Sequence, residues 1–474
     1  MQWGMVDPLG TLSDVVAALE AREVSAVDVV TAQLQRIESL NPQVNAVVTL
    51  DAERALATAQ AVDAARVRGD RMGPLAGVSI TIKDAIATEG IRSTGGAVEL
   101  IDNVPSVDAT VVSRLKAAGA IVVAKTNVPR WSGDVQTYNE MFGVTNNPWS
   151  LDHTPGGSSG GAATSVAMGF SPFEVGTDIG GSVRIPASNC GVYGHKPSYG
   201  LIPTHGYLDN KAQSIVDADV NVFGPFARSV DDLQFVFDLL AGPDDAHAAG
   251  WRLELPAPRA TDLGDFRVAA WLDDPFCPVS DAVAGVLGAF VDELERNGCV
   301  VDRSARPALD AGRASRQGLR LIGAATDISS TDEEFAAKAD AGAAVSHRDW
   351  DRMNRERAAV RASWAEFFES FDVLLCPVAP TEPIRHTISQ QGSNFLHSTL
   401  ADHGDRPYAD LVGWTALIGS AYLPATVPPV GRTPQGLPVG VQVVAPFLHD
   451  QTSLAFARAV EKTLGGFVPP PLAL

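Results

Sequence analysis

The sequence predicts an α/β fold, in which a β-sheet packs in layers against helices. One stretch shows the alternation directly: residues 108–118 have a helical pattern, Gly119 stops it, and the β-branched run 120–124 is typical of a strand. Three further short apolar runs with the character of buried strands lie at 75–82, 371–377 and 436–444. With 474 residues and 45% hydrophobic content, the chain can bury a large core.

The elements before the first strand are predicted by capping residues and by periodicity. Ser25 is a suitable N-cap, and Asp28 stands at the third helical position, where an acid completes the cap. Apolar residues then recur at helical spacing: Val27, Val30, Leu34 and Ile37. The alanine-rich stretch 50–68 predicts a second helix, and the strand predicted at 75–82 leads into Lys83.

The composition changes at residues 131–206, which are rich in glycine, serine, proline and asparagine. A long loop-rich segment inside a structured chain is usually functional. After it, Ser229 caps a helix that runs to Leu240, and a final helix is expected near 450–464. Residues 251–360 have a polar, helical pattern without motifs. Because there is no internal repeat or low-complexity linker, we expect a single domain over 1–474, with 251–360 as a variable helical region.

The composition also limits the partners and the compartment of the protein. Its formal net charge is −20, which argues against a surface that binds nucleic acid or anionic membrane directly. Four scattered cysteines without a CxxC pattern do not form a disulfide framework and fit a reducing compartment. Residues 1–10 lack the pattern of a secretory signal, and no apolar run approaches 18 residues. We therefore expect a cytoplasmic protein, with a homodimer possible.

Two serine clusters flanked by glycines, both within residues 131–206, are the candidate catalytic segments of the chain. They are GGSSGG at 156–161 and TDIGGS at 177–182, and Lys83 lies upstream at the end of an apolar strand. Glycine runs allow the backbone to approach a ligand and to direct its N–H groups at one point. A buried lysine can act as a base, because burial disfavours its charged form. The combination predicts a serine hydrolase that works without histidine.

Other types of site fit the sequence less well. Residues 194–198 contain a lysine but not the Gly-Lys-Ser/Thr of a phosphate-binding loop, and the nine histidines are dispersed without metal-binding spacing. We therefore expect no metal and no cofactor. Residues 157–161 match the G-x-S-x-G nucleophile elbow around Ser159, but residues 148–155 before them are unsuited to the strand that an elbow requires. A Ser-His-Asp hydrolase remains a minor alternative.

The chain resembles the amidase signature family of serine amidohydrolases. The resemblance rests on Lys83 and on motifs at 156–161, 178–186, 190–194, 196–198, 224–229 and 436–442, most of them within a signature core at about 70–240. It implies a central mixed β-sheet covered by helices on both faces. It also implies a Ser–Ser–Lys triad, with Ser182 as nucleophile, Ser158 as the bridging serine and Lys83 as general base. The backbone N–H groups of Ile179, Gly180, Gly181 and Ser182 would bind the oxyanion.

Smaller predictions concern residues around this triad. Asp178 and Arg184 flank the nucleophile and form either a buried ion pair or two solvated charges. Ser159 either forms a hydrogen bond within the site or satisfies backbone groups, and the second is favoured. Cys190 is expected to pack as a small apolar residue. By resemblance, the segment 131–138, with Ser132 and Gly133, lines the acyl pocket, although its Trp131 could equally belong to the core.

Two functions remain open at this point. The first is an amidase that hydrolyses a small-molecule carboxamide, anilide or carbamate without partners. The second is the glutaminase subunit of a tRNA-dependent amidotransferase, which shares the triad. Residues 127–134 read NVPRWSGD and depart from the Asp-Glu-Phe-Ala-Met-Gly run associated with that subunit, which favours the first function.

Overall fold

The computed structural model describes residues 7–209, 214–326, 333, 336, 344–388 and 394–474. Part of the predicted variable region 251–360 therefore lies outside the described residues. The predicted α/β class is confirmed. The helices are α1 (Leu12–Glu20), α2 (Ala26–Val44), α3 (Ala52–Arg68), α4 (Thr110–Ala117), α5 (Gly160–Ala167), α6 (Arg184–Cys190), α7 (Val230–Leu240), α8 (Asp281–Arg296), α9 (Ala311–Thr326), α10 (His347–Ser370), α11 (Asn394–His397), α12 (Gly413–Gly419) and α13 (Asp450–Leu464).

The strands form one large sheet and three small ones. They are β1 (Val47–Leu50), β2 (Ser79–Lys83), β3 (Ile121–Thr126), β4 (Tyr138–Asn139), β5 (Gly143–Val144), β6 (Phe173–Asp178), β7 (Tyr193–Lys196), β8 (Val222–Ala227), β9 (Val268–Ala270), β10 (Val301–Asp302), β11 (Val373–Pro377), β12 (Thr399–Leu400), β13 (Arg406–Pro407), β14 (Ala425–Val427), β15 (Pro429–Arg432) and β16 (Pro438–Val444). The nine-stranded sheet has the order β10-β9-β11-β16-β14-β7-β8-β6, and β15 pairs with β16. Because β9 pairs in parallel with β11 while β16 pairs with β11 antiparallel, the sheet is mixed, as expected.

Helices cover both faces of this sheet, as strand β11 shows. Val373 and Leu375 pack in one apolar cluster with residues of α8 and α13. Leu374 and Cys376 pack in another cluster with residues of α10 and α12. Successive side chains of a strand point to opposite faces, so the two clusters lie on opposite sides of the sheet.

The local signals at helix starts are confirmed in the structure. The Ser25 hydroxyl accepts a hydrogen bond from the Asp28 N–H, and the Asp28 carboxylate accepts from the Ser25 N–H. Ser229 caps α7 in a similar way by accepting from the Asp232 N–H. These bonds satisfy N–H groups that have no partner inside the helix.

A three-stranded sheet of β1, β3 and β2 presents Lys83, and β2 packs beside β6 of the large sheet. The predicted strand 75–82 starts too early. Leu75 accepts a hydrogen bond from the Val78 N–H in a turn, and Gly77 has φ +91°, so the extended chain begins only at Ser79. Lys83 is the last residue of β2, at the end of the sheet that faces the serine clusters.

The region 251–360 is less uniformly helical than its pattern predicts. It contains α8 and α9 but also the strands β9 and β10, which extend one edge of the large sheet. These strands have three and two residues, so neither offers enough sequence for a recognisable period. All four cysteines are unpaired and buried. Among the described residues, no helix combines the length and apolar character needed to cross a bilayer.

Candidate active site

Lys83 lies at the centre of the site and is fully buried. Its Nζ is 2.7 Å from Ser158 Oγ, 2.9 Å from Ser159 Oγ and 2.7 Å from Thr177 Oγ1. The structure thus brings two of the three predicted triad residues into direct contact. All three contacts are hydroxyls, so no carboxylate neutralises the ammonium form by direct hydrogen bonding.

Burial is the dominant influence on the charge of Lys83. It lowers the pKa of the lysine well below its ordinary value, although the negative charges of Asp178 and Glu174 oppose the shift. A buried ammonium loses hydration that three hydroxyls replace only in part, so the neutral amine is favoured. The neutral amine has a lone pair and can accept a proton.

The first serine cluster is a tightly packed loop that ends at α5. A Cβ on Gly157 would lie 2.6 Å from the Gln136 carbonyl oxygen, so only glycine fits there. The peptide bond between Gly157 and Ser158 is cis. Thr137 holds the loop from one side, because its hydroxyl donates to the Gly156 carbonyl at 2.9 Å and accepts from the Gly160 N–H at 3.0 Å.

The elbow alternative around Ser159 does not hold, because the segment 145–159 contains no strand. The Ser159 hydroxyl instead has three hydrogen bonds. It accepts from Lys83 and from the Thr177 N–H, and it donates to the Thr177 carbonyl oxygen at 3.3 Å. The predicted backbone contact is therefore present, and the contact with Lys83 adds to it.

The second serine cluster begins with the last two residues of β6 and is held by Asp178. The Asp178 carboxylate accepts from the N–H groups of Gly181 and Val183 and pairs with the Arg184 guanidinium at 2.8 Å. Both partners of the ion pair are fully buried, which confirms the buried alternative for this pair. Burial alone would raise the pKa of Asp178, but the Arg184 and Lys196 charges and the hydrogen bonds from Arg184 and Val183 together outweigh it and lower the pKa to about 2. The ion pair fixes the turn that carries Ser182.

The four backbone N–H groups predicted to bind an oxyanion differ in whether they already have an acceptor. The Gly181 N–H donates to Asp178 Oδ1 at 2.9 Å, so it is already in use. Within this described turn, the N–H groups of Ile179, Gly180 and Ser182 have no hydrogen-bond acceptor. Gly181 is needed for its conformation, because it has φ +122° and a Cβ there would lie 2.7 Å from Thr415 Oγ1. The Thr415 hydroxyl donates to the Gly180 carbonyl at 2.6 Å and orients that peptide.

The side of the turn that carries Gly180 faces apolar side chains. A Cβ on Gly180 would lie 3.7 Å from Ile322 and 3.9 Å from Val412, which are ordinary van der Waals contact distances. Ser182, two residues further along the turn, is 6% exposed. An acyl group bound beside Gly180 would therefore contact aliphatic side chains.

The segment 131–138 contributes a buried polar anchor. Trp131 packs in the main apolar core, so the core alternative holds for this residue. The Asp134 carboxylate accepts hydrogen bonds from the hydroxyls of Tyr138 at 3.0 Å and Tyr408 at 2.5 Å. Burial raises the pKa of Asp134, and these hydroxyls oppose the shift. The hydrogen bond between Asp134 and Tyr408 joins the segment 131–138 to the segment Tyr408–Val412.

Ser132 and Gly133 lie on this segment, next to the core tryptophan. Ser132 adopts a left-handed conformation with φ +55°, and its buried hydroxyl oxygen has no hydrogen-bond partner among the residues that the structure describes. A Cβ on Gly133 would lie 3.2 Å from the Arg130 carbonyl oxygen. Neither observation tests their predicted role in binding substrate, which stays a prediction.

Thr177 and Glu174 belong to the site but were not assigned a role by sequence reasoning. Glu174 accepts hydrogen bonds from Thr81 and, at 2.5 Å, from Thr126, and burial raises its pKa to about 7. The sequence feature that could have pointed to Glu174 is a carboxylate within strand β6, whose six residues are all buried. Cys190 is buried as expected, and burial raises the pKa of its thiol to about 12. Within the described ranges, no three His, Cys, Asp or Glu side chains could together hold a metal ion.

The fold and this site define a hydrolase that acts on amide bonds. The amidase family model matches residues 28–454, so the chain belongs to the amidase family, as its motifs indicated. Among curated relatives, it is 33% identical to the A subunit of glutamyl-tRNA(Gln) amidotransferase from Moorella thermoacetica, over 94% of each chain. The corresponding protein of Acidothermus cellulolyticus is also 33% identical, over 95% of this chain and 94% of the relative.

Solved structures give the same fold. A bacterial aryl acylamidase of the amidase signature family superimposes with a TM-score of 0.83 at 26% identity, over 96% of both chains. The glutamyl-tRNA(Gln) amidotransferase A subunit of Thermotoga maritima superimposes with a TM-score of 0.79 at 24% identity, over 98% of this chain and 99% of the other. The second likeness establishes the fold alone.

Proposed function

We propose that this chain hydrolyses a linear amide bond through an acyl-enzyme on Ser182, with Ser158 and Lys83 as its proton-transfer pair. The observation that carries the proposal is the 2.7 Å contact between Ser158 Oγ and the buried Lys83 Nζ. A serine hydroxyl is a weak nucleophile until a base takes its proton. A neutral lysine held against a serine hydroxyl supplies that base.

The proposed reaction uses these groups in turn. Ser182 Oγ attacks the substrate carbonyl carbon while its proton passes to Ser158 Oγ, and the Ser158 proton passes to Lys83 Nζ. The N–H groups of Ile179, Gly180 and Ser182 stabilise the resulting oxyanion, and such donors are typically worth about 3 kcal/mol each. The proton returns through Ser158 to the leaving nitrogen as the C–N bond breaks. Water then attacks the Ser182 ester by the same route and releases the acid.

The curated relatives favour the amidotransferase component over the free-standing amidase that the sequence favoured. Both relatives described above carry that name and cover nearly the whole chain. In that function the site would hydrolyse glutamine, and the ammonia would be used by partner subunits. The departure at residues 127–134 does not remove this candidate, because the three hydrogen-bond partners of Lys83 Nζ, Ser158, Ser159 and Thr177, lie outside that segment.

One structural observation supports a small uncharged amide as a second candidate. Glutamine carries an α-ammonium and an α-carboxylate, and burying either without a polar partner is costly. The position beside Gly180 faces Ile322 and Val412, both aliphatic. An aryl or alkyl acyl group would fit that surface without losing hydrogen bonds. The aryl acylamidase with a TM-score of 0.83 has a name that agrees with this chemistry.

A substrate comparison separates the two candidates and tests the proposal itself. We expect the purified chain to release amine or ammonia in a Ser182-dependent manner, measured with L-glutamine and with aliphatic and aromatic acyl 4-nitroanilides. Anilide hydrolysis by the chain alone would assign the small-molecule amidase. Glutamine hydrolysis that appears only with tRNA and the partner subunits of an amidotransferase would assign the amidotransferase function. Absence of turnover under both conditions would contradict amide hydrolysis.

The rate of acylation should depend on pH through Lys83. Only the neutral amine accepts a proton, so the rate should rise as pH rises through the lysine pKa and then level off. Because burial lowers that pKa, the midpoint should lie clearly below the ordinary lysine value of about 10.4. To measure this midpoint, the protein is labelled with a fluorophosphonate probe for fixed times at a series of pH values, and the labelling rate is determined at each pH. A midpoint at or above the ordinary value would contradict a neutral lysine base.

A further inference from the structure

The peptide between Gly180 and Gly181 is held at both ends by side chains. Its N–H group donates to Asp178 Oδ1 at 2.9 Å, and its carbonyl oxygen accepts from the Thr415 hydroxyl at 2.6 Å. Because a glycine stands on each side of this peptide, no side chain of its own restricts its rotation. Its orientation therefore depends on these two hydrogen bonds.

The two groups that hold the peptide are joined to each other through Arg184. The guanidinium donates to the Asp178 carboxylate from Nη2 at 2.8 Å and from Nε at 3.0 Å. Its Nη1 donates to the Thr415 carbonyl oxygen at 2.9 Å and to Gln442 Oε1 at 2.7 Å. Asp178, Arg184 and Thr415 are all fully buried. Together with the peptide, these three residues form a closed ring of hydrogen bonds.

Helix α12 carries Thr415 and packs closely against α9. The Ser315 hydroxyl of α9 donates to the Gly413 carbonyl at the start of α12, at 2.9 Å. A Cβ on Gly318 would lie 2.9 Å from the Ala416 carbonyl oxygen, so the two helices approach too closely for a side chain at this position. These contacts fix α12, and the Thr415 hydroxyl therefore reaches the turn from a well-held helix.

We infer that Thr415 is a positioning residue for the oxyanion, because its hydroxyl keeps the peptide between Gly180 and Gly181 in the orientation that presents the N–H groups of Gly180 and Ser182 to the substrate oxygen. These two N–H groups belong to the peptides on either side of the held one, so its rotation would redirect them. The Thr415 hydroxyl lies 3.1 Å from the Val412 carbonyl oxygen, farther than from that of Gly180, so its proton is directed mainly to the turn. The inference rests on the proposed function, because it assumes that Ser182 is acylated.

Thr415→Val removes the hydroxyl and keeps the shape of the side chain. We expect the maximal rate of fluorophosphonate labelling to fall at least about tenfold, because loss of one oxyanion donor costs about 10²–10³-fold in rate and misdirection costs part of that. The probe concentration for half-maximal rate should change little. The pH midpoint of labelling should stay at the wild-type value, because the hydrogen bonds of Lys83 Nζ do not involve Thr415.

Thr415→Ser and Thr426→Val are the control variants. Serine keeps the hydroxyl but loses a buried methyl group, so Thr415→Ser should label within about threefold of wild type even where its thermal stability falls. Thr426→Val removes another fully buried threonine hydroxyl, which bonds to His195 and Ser453, and it should label as fast as wild type. Rates are compared at a temperature below the unfolding transition of every variant, as measured by circular dichroism.

The variants separate positioning of the turn from general loss of structure. Equal labelling of wild type and Thr415→Val would overturn the inference, as would a loss in Thr415→Ser as large as the loss in Thr415→Val. A shifted pH midpoint in Thr415→Val would also overturn it, because the effect would then act on the base. Undiminished labelling of Ser182→Ala would instead overturn the proposed function, so the two failures can be told apart.

Discussion

Ser182→Ala should abolish covalent labelling by a fluorophosphonate probe and lower amide turnover by at least about 10⁴-fold. The alanine keeps the turn, because the Asp178 carboxylate holds the N–H groups of Gly181 and Val183 and the Arg184 side chain independently of the serine hydroxyl. Only the attacking oxygen is lost. Labelling is measured by the mass of the intact protein, and turnover by release of amine from the best substrate of the comparison described above.

The matched control for this variant is Ser188→Ala. Ser188 lies on α6, the helix that follows the nucleophile, and its hydroxyl accepts from the Gly440 N–H at 2.8 Å. It is buried but does not contact Lys83 or the oxyanion turn, so its alanine variant should still label. Stoichiometric labelling of Ser182→Ala would show that another residue is the nucleophile.

Lys83→Met should lower the acylation rate about 10³-fold while the protein stays folded. Methionine has a similar length and fills the buried space, but it offers no lone pair for the Ser158 proton. Loss of a buried amine removes a group that burial already disfavours in its charged form, so the fold should persist. The pH dependence of labelling should disappear in this variant, because the titrating group is gone.

Lys196→Met tests whether any buried lysine would have the same effect. Lys196 is as buried as Lys83, and burial together with the Arg184 charge lowers its pKa to about 7. Its Nζ donates to the Pro197 carbonyl at 2.7 Å and contacts none of the site hydroxyls. We expect near wild-type labelling of Lys196→Met at a given pH. Equal losses in both variants would remove the specific role of Lys83.

Much of the framework followed from local sequence patterns. The caps at Ser25 and Ser229 and the last helix, Asp450–Leu464, could be predicted because their signals lie within a few residues of each other. Family membership followed from motifs that are long and ordered along the chain. The start of β2 was missed because the turn conformation of Gly77 depends on its surroundings, not on the apolar pattern.

The environment of Lys83 could not be predicted in the same way. Thr177 reaches the lysine from strand β6, which is distant from Lys83 in the sequence, and no spacing rule connects the two residues. The Gly181 N–H looked available from sequence, but its use by Asp178 depends on the tight turn after β6. Hydrogen-bond direction is a property of the whole cluster of hydroxyls.

Peptide mapping of the trapped enzyme tests the central claim most directly. Wild-type protein treated with a fluorophosphonate at a pH on the plateau should carry one adduct, located by tandem mass spectrometry on Ser182. Protein quenched during turnover of a slow amide or ester should carry the acyl group on the same residue. An adduct on Ser158, Ser159 or any other residue, with Ser182 unmodified, would contradict the mechanism.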